Sequence, residues 1–298
     1  MKKLYYYLII ALFSVSSAVF AESLSLDSLE EIFCSYEPID MHHHNQEAPD
    51  HSDLLKQHRL NHEKADKGSR PHIEPTSLFE ATSINWAGYV AATNLATPVR
   101  STVTDVSGAW TVPTLNSTPD TAYVAYWVGI DGYKSPSVEQ IGTLSEWVNN
   151  RQVNWAWFEM YPNPSFQIIG FPVNTNDVIA AEVAYVGNNV FKMTLINYTR
   201  KVFVTIPTIY TTSKTASRLC AEWIAEAPSS VQGVLHLANF GKVIFTSCQA
   251  TINGFQGPIN SPRWQNVSLN MVTAQAAVKA VTSALINNDN FTVTWQHE

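Results

Sequence analysis

Ile179-Ala-Ala-Glu-Val-Ala-Tyr-Val186, Gly187-Asn188-Asn189 and Val190-Phe-Lys-Met-Thr-Leu-Ile196 read as a strand, a tight bend and a second strand. β-Branched and aromatic side chains recur in both runs, and the bend holds residue types that take left-handed backbone angles at little cost. Runs of the same kind lie on either side. Val103–Val112 stops at Pro113, Ala122–Val128 is β-branched and aromatic, and Val153–Tyr161 alternates before Pro162. Lys201–Ile206, Gly241–Thr251 and Phe291–Trp295 continue the series. Asn, Gly, Pro and Ser punctuate the gaps. Short strands at regular spacing specify an all-β sandwich or barrel. One segment stands apart: Ala274–Leu285 is Ala-rich and reads as a helix or an irregular loop, because Val272, Val278 and Val281 fix no period.

The N-terminus addresses the chain. Lys2 and Lys3 precede an apolar run, Leu4–Phe13, and Val19-Phe20-Ala21 is a small-residue cleavage site before Glu22. Residues 1–21 therefore read as a secretory signal peptide. The apolar run is shorter than the ~20 residues a membrane helix needs. The mature protein is expected to be secreted or periplasmic, with no membrane contact after signal removal.

Residues 22–80 differ from everything that follows. They hold thirteen acidic residues and seven of the nine histidines (His42, His43, His44, His51, His58, His62 and His72). Few large apolar residues accompany them, so the segment buries too little to offset its ordering entropy alone. It reads as a largely disordered propeptide. Its imidazoles titrate near pH ~6.5 and its carboxylates near pH ~4, so acidification changes its charge by many units. A segment that pairs with the domain at neutral pH and releases in acid would have this composition; a plain linker, or adventitious metal binding by His42-His43-His44, is the alternative. His58-Arg-Leu-Asn-His62 lacks the Glu that a zinc-protease helix places after its first His.

Residues 81–298 carry twelve acidic and eleven basic side chains. No basic patch is present, which excludes nucleic acid as a partner class. The length suffices for one domain with a real core. Few titratable groups mean little self-repulsion as pH falls, hence acid tolerance. Cys220 and Cys248 suit a disulfide in an oxidising compartment, or two buried thiols, and Cys34 belongs to the N-terminal segment. Their spacing suggests no metal site, and no cofactor is expected.

The scarcity of histidine after residue 80, where only His236 and His297 remain, removes the usual Ser–His–Asp and Cys–His machinery. Chemistry must then run on carboxylates and amides. In a strand, Glu222 and Glu226 share one face with Ile224, while Trp223 and Ala225 take the other. Two carboxylates on one face repel, so one of them holds its proton more tightly. Gln140 offers a donor and an acceptor in one group, and an amide aimed at a developing oxyanion is worth ~10²–10³ in rate. A carboxylate with its ordinary pKa of about 4.3 is half ionised, and so able to trade protons with water as acid and base, only in acid.

Asn85-Trp86-Ala87-Gly88-Tyr89, Trp127-Val-Gly-Ile-Asp131-Gly132, Gln140-Ile-Gly142, Trp157-Phe-Glu159-Met-Tyr161-Pro162, Ala221-Glu222-Trp223-Ile-Ala-Glu226 and Leu237-Ala-Asn-Phe-Gly241 occur in this order. The set resembles the glutamic peptidases, the eqolisin family, over roughly residues 83 to 296. The resemblance implies an all-β fold, a sandwich of two curved antiparallel sheets of concanavalin A-like jelly-roll type. It implies a proenzyme that acts as an endopeptidase at low pH on protein or peptide substrates, expected to be monomeric. It also implies a catalytic dyad of Gln140 and Glu226, with the glutamate as base toward water and the glutamine stabilising the oxyanion. Asn85, Trp86, Trp127, Asp131, Glu159 and Tyr161 fall where the family lines or supports its cleft, and Glu222 falls in a supporting place. Trp155 stands where fungal members carry Asp, which leaves the polarity of the cleft open. Two other readings compete: a β-sandwich glycoside hydrolase using paired carboxylates, and a non-catalytic carbohydrate-binding sandwich. A glycoside hydrolase has no need for Gln140.

Overall fold

A computed structural model describes residues 36–39, 74–75, 80–118, 120–163, 165–168, 170–209, 215–230 and 233–298. The expected signal peptide, Cys34 and most of the segment 22–80 lie outside the described residues. Two short strands come from the N-terminal segment, β1 (Glu37–Pro38) and β2 (Glu74–Pro75). The domain follows with β3 (Glu80–Ser83), β4 (Trp86–Ala92), β5 (Val103–Thr111), β6 (Ala122–Asp131), β7 (Val138–Val148), β8 (Arg151–Tyr161) and β9 (Phe166–Gln167). The hairpin of β10 (Val178–Gly187) and β11 (Val190–Asn197) leads to β12 (Val202–Ile209) and β13 (Cys220–Glu226). A small ribbon, β14 (Ser229–Ser230) and β15 (Gly233–Val234), precedes β16 (Lys242–Ile252), β17 (Phe255–Pro258), β18 (Gln265–Val272), β19 (Val278–Thr282) and β20 (Phe291–Trp295).

Pairing arranges the strands in two layers. One sheet runs β9-β8-β7-β6-β13-β4-β18-β3. The other runs β1-β12-β11-β10-β5-β16-β20-β19. Leu269 of β18 pairs with Gly88, and two residues later Met271 pairs with Ala280 of β19, so β18 passes from the first sheet into the second. All these neighbours are antiparallel except the short additions β3 on β18 and β1 on β12. The fold is the expected all-β sandwich.

Alternation along the strands decides what lies between the layers. Val106 and Trp110 of β5, Tyr126 and Val128 of β6, Ala221, Trp223 and Ala225 of β13, and Phe245 of β16 join one buried cluster. Removing such a side chain from water contributes about 1.5–3 kcal/mol. The buried indoles keep partners: Trp223 Nε1 donates to Ser107 O at 2.8 Å and Trp110 Nε1 to Thr143 Oγ1 at 3.0 Å. The opposite face of the first sheet carries a second apolar cluster with Trp86, Trp127, Leu144, Trp157 and Ile224. That face is the floor of the site.

The bend at Gly187-Asn188-Asn189 forms as its residues predict, with φ of 53° at Asn188 and 60° at Asn189. Two expectations are corrected. Ala274–Leu285 holds no helix; it contains β19, which pairs with β18 and β20. Ala and Lys favour a helix weakly, and pairing on both sides overrides that preference. Cys220 and Cys248 are free, buried thiols. They belong to different clusters, Cys248 between the sheets and Cys220 on the outer face of the first.

Candidate active site

Register across five strands puts the candidate residues on one face. Glu159 of β8 pairs with Gln140 of β7, Gln140 with Gly129 of β6, and Gly129 with Glu222 of β13. Two residues along, Trp157, Gly142, Trp127, Ile224 and Gly88 form the next row. Leu144, Ala125, Glu226 and Trp86 form the third. Side chains two apart share a face, so Gln140, Glu159, Glu222 and Glu226 all rise from the same side of the sheet.

The glycines in these rows make room. A Cβ on Gly142 would sit 2.1 Å from the Tyr126 carbonyl oxygen, and one on Gly129 would sit 2.9 Å from Trp127 Cζ3. The Trp127 ring therefore lies down over bare backbone and reaches sideways, where Nε1 donates to Glu226 Oε2 at 2.9 Å. Asn85 Nδ2 donates to the other oxygen, Oε1, at 3.2 Å. Ser83 Oγ donates to Asn85 Oδ1 at 3.2 Å and so turns the Asn85 amide nitrogen toward the carboxyl. The Trp86 indole sits edge-on to Trp127, with ring centroids 5.0 Å apart. It faces Glu226 as well, a weaker electrostatic pull without a well-formed hydrogen bond.

Those donors favour the charged form of Glu226, but burial outweighs them and pushes its pKa up to about 7. The side chain is half-buried and keeps part of its surface toward solvent. Glu159 is pushed to about 8, first by burial and then by the charge on Glu226, against the hydrogen bond from Gln140. That bond is short: Gln140 Nε2 donates to Glu159 Oε2 at 2.6 Å. The Glu159 carboxyl thus holds Gln140 and feels the charge of Glu226 across the same face of the sheet. Gln140 Oε1 is buried with no hydrogen-bond partner among the described residues.

Other predicted residues take supporting places. Asp131 is fully enclosed, at 0 % exposure. Its oxygens accept the backbone N–H groups of Arg218 and Leu219 at 2.6 and 2.8 Å, which fixes the entry to β13 rather than facing substrate. Trp127 is equally enclosed and acts through Glu226. Glu222 is buried beneath the Gly132–Tyr133 turn; its Oε1 accepts from Tyr133 N at 2.8 Å and lies 3.4 Å from Cys220 Sγ. Burial raises its pKa well above the ordinary carboxylate value, against the hydrogen bonds it accepts. Trp86 and Asn85 flank Glu226, and Tyr161 is half-buried beyond Glu159 on the same face. Reading from sequence missed Glu159 as the partner of Gln140 and the glycine floor. The register of the β7–β8 hairpin was the signal that could have found the first.

The arrangement offers an amide with one N–H and one carbonyl uncommitted, beside a carboxyl that holds its proton in acid. Among the described residues, no three His, Cys, Asp or Glu side chains stand together as metal ligands. The Peptidase A4 family matches residues 84–295. Aspergillopepsin-2 of Aspergillus niger is 24% identical over 237 residues, 72% of this chain and 79% of its own length. Scytalido-glutamic peptidase, solved with a transition state analog inhibitor, superposes with a TM-score of 0.59 at 23% identity, covering 71% of this chain and 98% of that one. Aspergilloglutamic peptidase from Aspergillus niger gives 0.53 at 24% identity, over 59% of this chain and 99% of that one. At such identities the structures speak for the shared fold. The family match does more, since it runs from Ile84 to Trp295 and takes in every residue of the cleft face. The chain belongs to the Peptidase A4 family and is a glutamic endopeptidase, a hydrolase acting on the peptide bonds of proteins or peptides.

Proposed function

We propose that peptide hydrolysis here runs on Gln140 and Glu226, in acid, outside the cytoplasm. The observation that carries this is the unspent hydrogen-bonding capacity of Gln140. One N–H is committed to Glu159 at 2.6 Å, while Oε1 has no partner among the described residues. Buried polar atoms are rarely left so, and a water held by Oε1 with a substrate carbonyl on the second N–H would complete the amide.

Glu226 supplies the proton traffic. With a pKa near 7 it enters the reaction protonated in acid. One of its oxygens takes a proton from the attacking water while the other gives its proton to the carbonyl oxygen. The new C–O bond forms as the carbonyl π pair moves onto oxygen, where the Gln140 N–H stabilises it. Collapse reverses the roles: Glu226 protonates the leaving nitrogen, accepts a hydroxyl proton, and the C–N bond breaks. The sequence-based expectation of a half-ionised base is thereby modified, because desolvation at this site exceeds what three donors restore. Cleavage is expected below pH about 7 and should fall as Glu226 ionises.

The N-terminal address and the His-rich, acidic segment support a secreted or periplasmic protein made as a proenzyme. Family membership favours this reading over the sugar-cleaving and sugar-binding sandwiches. The test is digestion of a denatured protein between about pH 2 and pH 8 by wild type, Glu226→Gln and Gln140→Ala. Glu226→Gln should lose about 10³-fold or more in kcat/KM, and Gln140→Ala about 10²–10³-fold. Activity that peaks near neutrality, or that survives Glu226→Gln, would overturn the mechanism.

A further inference from the structure

The second sheet ends at β12, and its sequence, Val-Phe-Val-Thr-Ile-Pro-Thr-Ile, is apolar along most of its length. Open apolar edges recruit other strands and are normally covered. Here the start of that edge, at Lys201–Phe203, is covered by four residues of the chain's own N-terminal segment. Glu37 N–H donates to Lys201 O at 2.9 Å and Ile39 N–H to Phe203 O at 2.8 Å, in parallel register. Pro38 lies between them with its nitrogen turned away from β12. Its missing N–H therefore costs no bond here and gives no donor to a further strand.

Side chains add to this seat. Tyr36 packs on the outer-face cluster of Ala180, Ile196 and Phe203. Its ring meets Tyr198 edge-to-face, with centroids 6.2 Å apart at 72°. Ile39 packs against the inter-sheet core. The cleft lies on the outer face of the first sheet; this seat lies at the edge and outer face of the second. The contact is thus separate from the catalytic groups.

We infer that Tyr36–Ile39 is an anchoring strand that binds the N-terminal segment to β12, away from the cleft, and keeps it on the domain after the intervening chain is cut. The mode is strand addition, in which main-chain bonds give affinity and flanking side chains give register. Its regulatory meaning rests on the propeptide reading of residues 22–80; the association itself does not.

The test uses the full chain in a Glu226→Gln background, with a site-specific protease sequence placed between His58 and His62. After cutting at neutral pH, the N-terminal fragment should co-elute with the domain in gel filtration. Ile39→Pro removes one donor, and Tyr36→Ala removes the ring contact. Each should lower retention about tenfold, the scale expected from losing one such interaction. In the uncut chain, amides 37 and 39 should exchange slowly with solvent. The inference is overturned by a wild-type fragment that elutes free, by Ile39→Pro fragments held as tightly as wild type, or by random-coil exchange at both amides. None of these readouts uses peptidase activity, so failure of the catalytic reading would leave them unchanged.

Discussion

Gln140 Nε2 donates to Glu159 Oε2 at 2.6 Å, and Glu159 is held by burial, and by the charge on Glu226, to a pKa of about 8. At acid pH Glu159 is therefore neutral, and what it gives Gln140 is an acceptor rather than a charge. Glu159→Gln keeps an acceptor oxygen and should retain activity within roughly threefold. Glu159→Ala frees the Gln140 amide to rotate and should lower kcat by about 10–10²-fold, with KM little changed. Steady-state kinetics on one peptide decide it. An inactive Glu159→Gln would mean that the charge itself is needed.

The Trp127 indole is the best-formed donor to Glu226, at 2.9 Å. Because it favours the ionised carboxylate, removing it makes ionisation harder and raises the pKa of Glu226. If neutral Glu226 is the working form, Trp127→Phe should move the upper limb of the pH–kcat/KM profile to higher pH, by roughly half to one unit. A limb that stays in place, or moves to lower pH, would remove Glu226 as the group behind it.

Gly142 sits beside Gln140 at a point where strand backbones come close. A Cβ there would meet the Tyr126 carbonyl oxygen at 2.1 Å and Trp127 Cβ at 2.7 Å, neither of which can swing away. Gly142→Ala should destabilise the domain by about 3 kcal/mol or more, because a strand must shift in a packed sheet. Chemical denaturation measures this directly. An alanine tolerated within about 1 kcal/mol would show that β6 and β7 have slack that their register does not suggest.

Much of this architecture was legible because strands announce themselves locally. The Gly187-Asn188-Asn189 bend and the alternation in Val153–Tyr161 belong to single hairpins and needed no distant partner. Gln140 and Glu226 were paired by family resemblance alone, and the strand register places both on one face of the first sheet. What stayed hidden was decided by neighbours remote in sequence. β19 is a strand because β18 and β20 flank it, not because Val278–Thr282 prefers one. Cys220 and Cys248 fall on opposite faces of sheets, which spacing along the chain cannot reveal. The high pKa of Glu226 comes from its burial in the folded sheet, against the pull of its donors, so composition alone suggested an ordinary carboxylate.

Nine of the twelve acidic side chains after residue 80 are buried: Asp105, Asp131, Glu139, Glu146, Glu159, Asp177, Glu182, Glu222 and Asp289. Burial raises the pKa of Asp105, Asp131, Glu146 and Glu222, and brings Glu182 to about 7 and Glu159 to about 8. In the unfolded chain the same groups titrate near pH ~4. A raised native pKa means that the folded state binds the proton more tightly. The stability from these groups is then complete below the unfolded value and is lost as pH rises through the native one. The melting temperature should fall between about pH 4 and pH 8, by roughly 10 °C or more. Glu182 separates this effect from catalysis, because it sits in the second sheet opposite Ser107 and Thr194 and neither of its oxygens has a hydrogen-bond partner among the described residues. Lys192, nearby, offsets only part of its burial. Glu182→Gln should flatten the decline between about pH 4 and pH 7 and leave stability below about pH 4 nearly unchanged. A melting curve that rises toward neutrality in the wild type, or keeps its slope in Glu182→Gln, would show that buried carboxyls do not set the acid preference of this fold.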